Sequence, residues 1–421
     1  MKVIIIGGGF AGLKTAHELN NRKDIEVLLI DKFNYHQFQP LYYQVATAAL
    51  DASNISFPLR KAFHNSKNVR FRLAEVLEVL PAQNKIKTTI GEFDYDALVV
   101  ATGADTNFFG NEKLKECAFP MKTTVEAVQI RHRLIENFEK ALLVQNDPQE
   151  LQKHMTIVIT GGGPTGVELS GAIAEMRNNI LPKDYPELDF KQMKIYLLEG
   201  GPKLLAAMSE KSSEQSKHYL EKLGVNVMLN TLLSEYDGST IVLKDGNKIE
   251  AKTVIWAAGI KGNVLPGLPA EQVERGRIKV DGFNKMLGSQ NIYALGDVAA
   301  MTADPNYPKG HPQVANVAIN QGKNLAHNFI RARDGKQLEE FRYHDKGSMA
   351  TVGRNLAVVD LPKPKLHFGG WFAWLTWMLL HLFLLLGVKN KIQVFINWIY
   401  KYFTYDQSLR LLVKDPHRPW R

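Results

Sequence analysis

One short pattern occurs twice in this chain and restricts the fold more than any other feature. Near the start, the apolar run from Lys2 to Ile6 leads into Gly7-Gly8-Gly9-Phe10-Ala11-Gly12. Residues 155–160 (MTIVIT) lead in the same way into Gly161-Gly162-Gly163-Pro164-Thr165-Gly166. Each G-x-G-x-x-G lies between a strand-like run and a helix-like segment, the first of these reaching about Asn21. The three glycines have separate tasks: a tight turn, close backbone approach to a pyrophosphate, and close packing of helix on strand. The helix N-terminus then offers unpaired N–H groups to phosphate, and Pro164 suits a first helical turn, where its missing N–H is not needed.

Each motif is followed by a strand that ends in an acid. Residues 25–30 (IEVLLI) end at Asp31, 19 residues past Gly12, and residues 193–198 (MKIYLL) end at Glu199, 33 residues past Gly166. The longer spacing is accounted for by an inserted loop, 181–192 (LPKDYPELDFKQ). An acid at this place accepts from a ribose hydroxyl and repels a 2′-phosphate, so Glu199 favours NADH over NADPH. A single copy of the motif is weak; two copies, each closed by a strand-end acid, indicate two dinucleotide sites. Residues 97–103 (ALVVATG), 253–259 (TVIWAAG) and 292–297 (IYALGD) are further apolar strands. They end at Thr102-Gly103, Ala258-Gly259 and Gly296-Asp297, the sheet edge at which open α/β folds bind ligands. Asp297 can also be read as a helix N-cap.

At 421 residues, with 45% hydrophobic and 23% charged side chains, the chain has material for two or three domains and a sizeable core. That composition excludes wholesale disorder, collagen-like repeats and a multi-span membrane protein. A single cysteine, Cys117, excludes a disulfide framework, a four-cysteine metal site and a redox cysteine pair. No metal-spaced histidine cluster is present, and no metal is expected. The opening apolar run stops at glycine too early for a signal-peptide core, so folding is expected to start at residue 1.

The net charge of +9 is concentrated at one end. From Leu361 to Arg421 there are nine Lys/Arg against two acids, Asp406 and Asp415, and five of the six tryptophans, Trp371, Trp374, Trp377, Trp398 and Trp420. These aromatics are embedded in aliphatic runs, which suits a lipid interface and not nucleic acid. Residues 371–386 form an apolar run of 16 residues, short of the roughly 20 that a span needs. After it, Ile392, Phe395, Ile396, Ile399 and Phe403 fall on one helical face and Asn390, Gln393, Asn397, Lys401 and Thr404 on another. The expectation is an amphipathic anchor lying in the interface, with Lys389, Lys391 and Lys401 near lipid phosphates.

Taken together, these residues resemble the two-dinucleotide flavoprotein superfamily of pyridine nucleotide-disulfide oxidoreductases. The resemblance implies that the first motif, with Asp31, Lys32, Thr102, Gly103 and Asp297, binds FAD non-covalently. The second, with Glu199, Ala258 and Gly259, binds NADH. The missing cysteine pair sets the chain apart from disulfide reductases and sulfide:quinone oxidoreductases. Four segments, 38–50 (FQPLYYQVATAAL), 161–175 (GGGPTGVELSGAIAE), 347–354 (GSMATVGR) and the tail to 397–405 (NWIYKYFTY), are similar to type II NADH:quinone oxidoreductases, which do not pump protons. That family implies hydride transfer from NADH to FAD and two-electron transfer to a membrane quinone. It places Asn316, Asn320 and Gln321 near the quinone, with asparagine at 316 and 320 where relatives carry glutamine. It places Glu168 between nicotinamide and quinone as a proton relay; the bland alternative is an acid that complements a helix dipole. Glu175 reads as structural. Tyr42, Tyr43 and Gln44 either line the flavin or belong to the core, and His36 and His311 are left open between catalysis and structure.

The fold expected is α/β. Two Rossmann-like domains, with the NADH domain inserted in the FAD domain, precede an amphipathic helical membrane anchor. FAD-domain residues are 1–115 and 281–345, a connecting helix spans 116–149, the NADH domain spans 150–280, and the anchor spans 346–421. A homodimer on the cytoplasmic face of a bacterial inner membrane is expected. The rivals are a flavoprotein that reduces a protein acceptor and a membrane-tethered NADH sensor.

Overall fold

The computed structural model describes residues 1–407 and 409–413. Trp420 and Asp415, counted in the tail above, lie outside the described residues. The chain forms two compact units: Met1–Gln37, Phe57–Asp105 and Ile260–His344 make the first, and Phe38–Ser56, Thr106–Gly259 and Asp345–Arg421 the second.

The first unit is built on a five-stranded parallel sheet. Lys2–Ile6 lies at its centre, between Glu26–Asp31 and Ala97–Val100, with Val69–Leu73 and Ile292–Ala294 at the edges. Val3, Ile4 and Ile5 are fully buried, as a central parallel strand covered on both faces requires. The Phe10–Glu18 helix packs on the Ala315–Arg333 helix, and a Cβ on Gly322 would stand 2.5 Å from the Ala11 carbonyl oxygen.

The second unit repeats the plan. Thr156–Thr160 lies between Lys194–Leu198 and Thr253–Trp256, with Asn226–Met228 and Phe119–Pro120 at the edges, again all parallel. The inserted loop contains a short helix, Leu181–Asp184, and a 3-10 turn, Phe190–Gln192. The three glycine-ended strands stop earlier than their apolar runs, at Val100, Trp256 and Ala294, because the chain turns before reaching glycine.

Three segments group differently from the boundaries expected above, one of them residues 106–115, which pack in the second unit. Residues 260–280 pack in the first unit, where Arg277–Val280 pairs with Ala299–Met301. Residues 38–56 pack in the second.

The tail forms an antiparallel three-stranded sheet, Ser348–Gly353, Leu356–Pro362 and Lys365–Gly369, followed by helices Trp371–Leu384 and Val388–Thr404. Each helix turns one i, i+4, i+8 stripe inward: Ala373, Trp377 and His381 on the first, Asn390, Val394 and Trp398 on the second. The amphipathicity of the second helix is therefore reversed from that of an ordinary surface helix. Its polar side docks on protein: Asn390 donates to the Ser53, Asn54 and Ser56 carbonyls, and Asn397 to the Asn54 side chain. Its apolar side, Ile392, Phe395, Ile396, Ile399 and Phe403, is exposed. Two of the three lysines expected at lipid phosphates are engaged within the protein. Lys401 pairs with Glu175 at 3.3 Å, and Lys391 donates to the Phe383 carbonyl at 2.8 Å.

Candidate functional site

The two glycine cradles are close copies in atomic detail. The Gly7 N–H donates to the Ile30 carbonyl at 2.8 Å and the Gly161 N–H to the Leu198 carbonyl at 2.8 Å. Gly7 and Gly161 take φ of 106° and 101°, a region that disfavours any side chain. A Cβ on Gly12 would stand 1.9 Å from the Gly7 carbonyl oxygen, and one on Gly166 at 1.9 Å from that of Gly161. Nothing lies within 4 Å of a Cβ position at Gly9 or Gly163, so the middle of each cradle is open to a ligand.

The strand-end acids hold these loops. Asp31 accepts from the Gly8 and Phe33 N–H groups at 2.6 and 2.7 Å; burial raises its carboxyl above the ordinary range. Glu199 accepts from Gly162 at 2.5 Å and from Gly201 at 2.6 Å. Both acids thus brace the glycine turns from the ends of their strands. His36, buried, contacts the Gly8 carbonyl through Nδ1 at 2.9 Å and packs edge-on against Phe10, so it supports the first cradle. Thr102 donates to the Asn263 carbonyl at 2.6 Å, and the Gly103 carbonyl accepts from the Asn263 N–H. Asp297 lies in the 3-10 turn Gly296–Val298, whose cap is Leu295, so the N-cap reading of its side chain does not hold.

These residues fit the two dinucleotides: each cradle has a tight turn, a gap where a Cβ is missing, helix N–H groups and a ribose-facing acid. When bound, FAD supplies the hydride acceptor and the two-electron donor.

Among the residues assigned to quinone, Gln321 is buried and accepts from the Gly296 N–H at 2.7 Å, a bond that fixes the Gly-Asp turn. Asn320 turns its amide back on Asn316, to the carbonyl oxygen at 2.8 Å and the side-chain oxygen at 2.9 Å. The shorter Asn320 side chain thus donates within its own helix, one turn back.

Glu168 lies elsewhere, in the second unit. It sits in the first turns of helix Pro164–Asn179 and lines a narrow cleft that opens to the surface. The cleft is walled by that helix, the Ser348–Gly353 strand and the two tail helices. Burial pushes the Glu168 carboxyl up to about 8, so at neutral pH it is an acid with a proton to give. The Thr351 N–H at 3.5 Å opposes this only weakly. The Trp377 indole N–H also pulls the value down, from outside hydrogen-bond geometry. Tyr43 and Gln44 are buried here too, and the Trp398 indole donates to Gln44 at 2.7 Å. Sequence reasoning missed Arg354, which lies over the rings of Tyr402 and Tyr405 at 4.2 and 4.0 Å. The only signal for it was the 347–354 segment as a whole.

The chain matches the family model for pyridine nucleotide-disulphide oxidoreductases over residues 1–322 and that for the NDH2 C-terminal domain over residues 345–405. It is 35% identical over 413 residues to the type II NADH:quinone oxidoreductase Ndh of Mycobacterium tuberculosis, covering 94% of this chain and 87% of that protein. The chain belongs to the type II NADH:quinone oxidoreductase family. A Staphylococcus aureus type II NADH:quinone oxidoreductase is 31% identical over 360 residues, 84% of this chain and 87% of that one. In fold, the chain resembles the NDH2 of Plasmodium falciparum solved in complex with NADH, with a TM-score of 0.89 over 98% of this chain and 99% of that chain at 23% identity.

As a type II NADH:quinone oxidoreductase, the enzyme passes hydride from NADH to FAD and two electrons on to quinone. The expected α/β architecture, FAD and NADH are therefore upheld. Among the described residues no helix is long and apolar enough to cross a membrane.

Proposed function

We propose that the first cradle, with Asp31, Lys32, Thr102, Gly103 and Asp297, holds FAD and the second, with Glu199, Ala258 and Gly259, holds NADH. Glu168 is the proton donor for quinone reduction. The observation that carries this role is its burial in a cleft walled by the apolar tail helices, which keeps the carboxyl protonated at neutral pH. Asn316, Asn320 and Gln321 contribute to the quinone site, Gln321 through its hold on the Gly296 turn.

The exposed side of the tail lies on lipid. Phe372, Phe383 and Phe403 are each more than 70% exposed, on the same outward faces as Leu379, Ile396 and Ile399. A contiguous apolar face of this kind beside exposed Lys389 suits an anionic membrane surface. The cytoplasmic face of a bacterial membrane is the one that meets NADH. Part of the same tail is free to pair with a second copy, and sedimentation in detergent tests the dimer.

Anaerobic titration on detergent-purified protein tests the reading. NADH should bleach the flavin, NADPH should not, and a short-chain quinone should restore the colour rapidly. Bleaching without recovery would sink the quinone site; Phe383→Ser/Phe403→Ser protein that still floats with anionic vesicles would sink the lipid face.

A further inference from the structure

The overall reaction consumes NADH, quinone and one proton and yields NAD+ and quinol, so one proton per turnover must enter from solvent. Glu168 is itself only 9% exposed, so little of it meets solvent directly.

The cleft contains a second carboxyl. Glu175 lies seven residues after Glu168, which puts both on one face of the helix about 10 Å apart along its axis. Between them that face carries Ala172, whose single methyl leaves the space open. Glu175 sits at the outer end, its side chain 14% exposed, held by the Lys401 ammonium at 3.3 Å and by the Arg354 N–H. The groove between the two acids borders Tyr43. The Tyr43 hydroxyl accepts from the Gln44 amide at 2.8 Å, which leaves its own proton to donate, and both carboxylates act on it electrostatically. The titratable groups facing the cleft besides Glu168 are Tyr43, Glu175, Arg354, Lys401, Tyr402 and Tyr405. Arg354, Lys401 and the two tyrosines carry no carboxyl, so among the described residues Glu175 is the other carboxyl lining the cleft.

We infer that Glu175 is the solvent-side acid that reloads Glu168, with the Tyr43 hydroxyl and cleft water carrying the proton between them. This rests on the reading of Glu168 as donor. Each turnover moves one proton from solvent to the Glu175 carboxylate, then to the Glu168 carboxylate left after donation to the quinone oxygen. Lys401 is a positioning residue that holds Glu175 at the mouth.

The test is stopped-flow reoxidation of NADH-reduced, FAD-loaded full-length protein by a short-chain ubiquinone between pH 6 and 9. Glu175→Gln should slow reoxidation by about tenfold at pH 8 and less at pH 6. Millimolar formate or imidazole should restore most of the rate. Lys401→Gln breaks the same ion pair but keeps the carboxyl, so it should cost less than Glu175→Gln. If Glu168→Gln is slow while Glu175→Gln has the parent's rate and pH profile, this inference fails and the donor role stands. If Glu168→Gln is as fast as the parent, the donor role itself fails. Equal slowing in Glu175→Gln and Lys401→Gln without rescue, or equal loss of flavin reduction by NADH, would make the pair structural and overturn the proposal.

Discussion

Asn390 donates its side-chain amide to the backbone carbonyl of Asn54 at 2.9 Å, across 336 residues of chain. The same amide reaches the Ser53 and Ser56 carbonyls, so one buried side chain fastens the second tail helix to the 38–56 segment. Replacing it with leucine strips the buried Asn54 carbonyl of its donor, at a cost of about 2 kcal/mol. Asn390→Leu should lower the melting temperature in detergent and expose Val388–Thr404 to limited proteolysis. Unchanged protection of that helix would show that its apolar contacts alone seat it.

The two cradles allow a paired test. Alanine at Gly12 or Gly166 puts a Cβ 1.9 Å from a carbonyl oxygen, so each loop must open to accept it. Gly12→Ala should purify with little or no flavin. Gly166→Ala should stay yellow but lose NADH affinity by at least tenfold, about 1.4 kcal/mol. Flavin content by absorbance and NADH binding by calorimetry separate the two, and a reversed pattern would exchange the assignments.

Glu168 makes opposite predictions for stability and rate. Its folded value, about 8, lies above the ordinary carboxyl value of 4.5. The folded state therefore binds this proton more tightly than the unfolded one. That contribution is fully present below pH 4.5 and is lost as pH rises through 8. Fully lost, it amounts to on the order of 4 kcal/mol. Glu168→Gln should melt higher than the parent at pH 9 and equally at pH 5, while quinone reduction falls by about a hundredfold. In the parent, quinone reduction should decline above pH 8 as the donor loses its proton. A flat rate between pH 7 and 9 would contradict this.

Glu199 braces the second cradle and, in the proposed NADH assignment, would face the ribose. With both oxygens on the Gly162 and Gly201 N–H groups, it places negative charge where a 2′-phosphate would lie. Glu199→Ala should narrow the NADH over NADPH preference by about tenfold or more in kcat/KM. Steady-state kinetics with both nucleotides check this; a preference left intact would move the discrimination elsewhere.

The sequence by itself determined the paired α/β plan, because each of its parts is local. Glycines that admit no Cβ, apolar strands buried on both faces and acids at strand ends are all readable within about thirty residues. The length and aromatic content of the tail likewise pointed to an amphipathic segment short for a membrane span. Tertiary structure alone decided how the tail helices are turned. A helical pattern shows two faces but not which one meets protein; here the buried Asn54 carbonyl and the partly buried Ser53 and Ser56 carbonyls accept from Asn390. The cleft was hidden for the same reason. Glu168 and Glu175 are visible on one helix, but Arg354, Lys401 and Tyr43 come from distant segments and converge only when those segments pack. A carboxyl's proton affinity depends on what excludes water from it, and for Glu168 that is the fold.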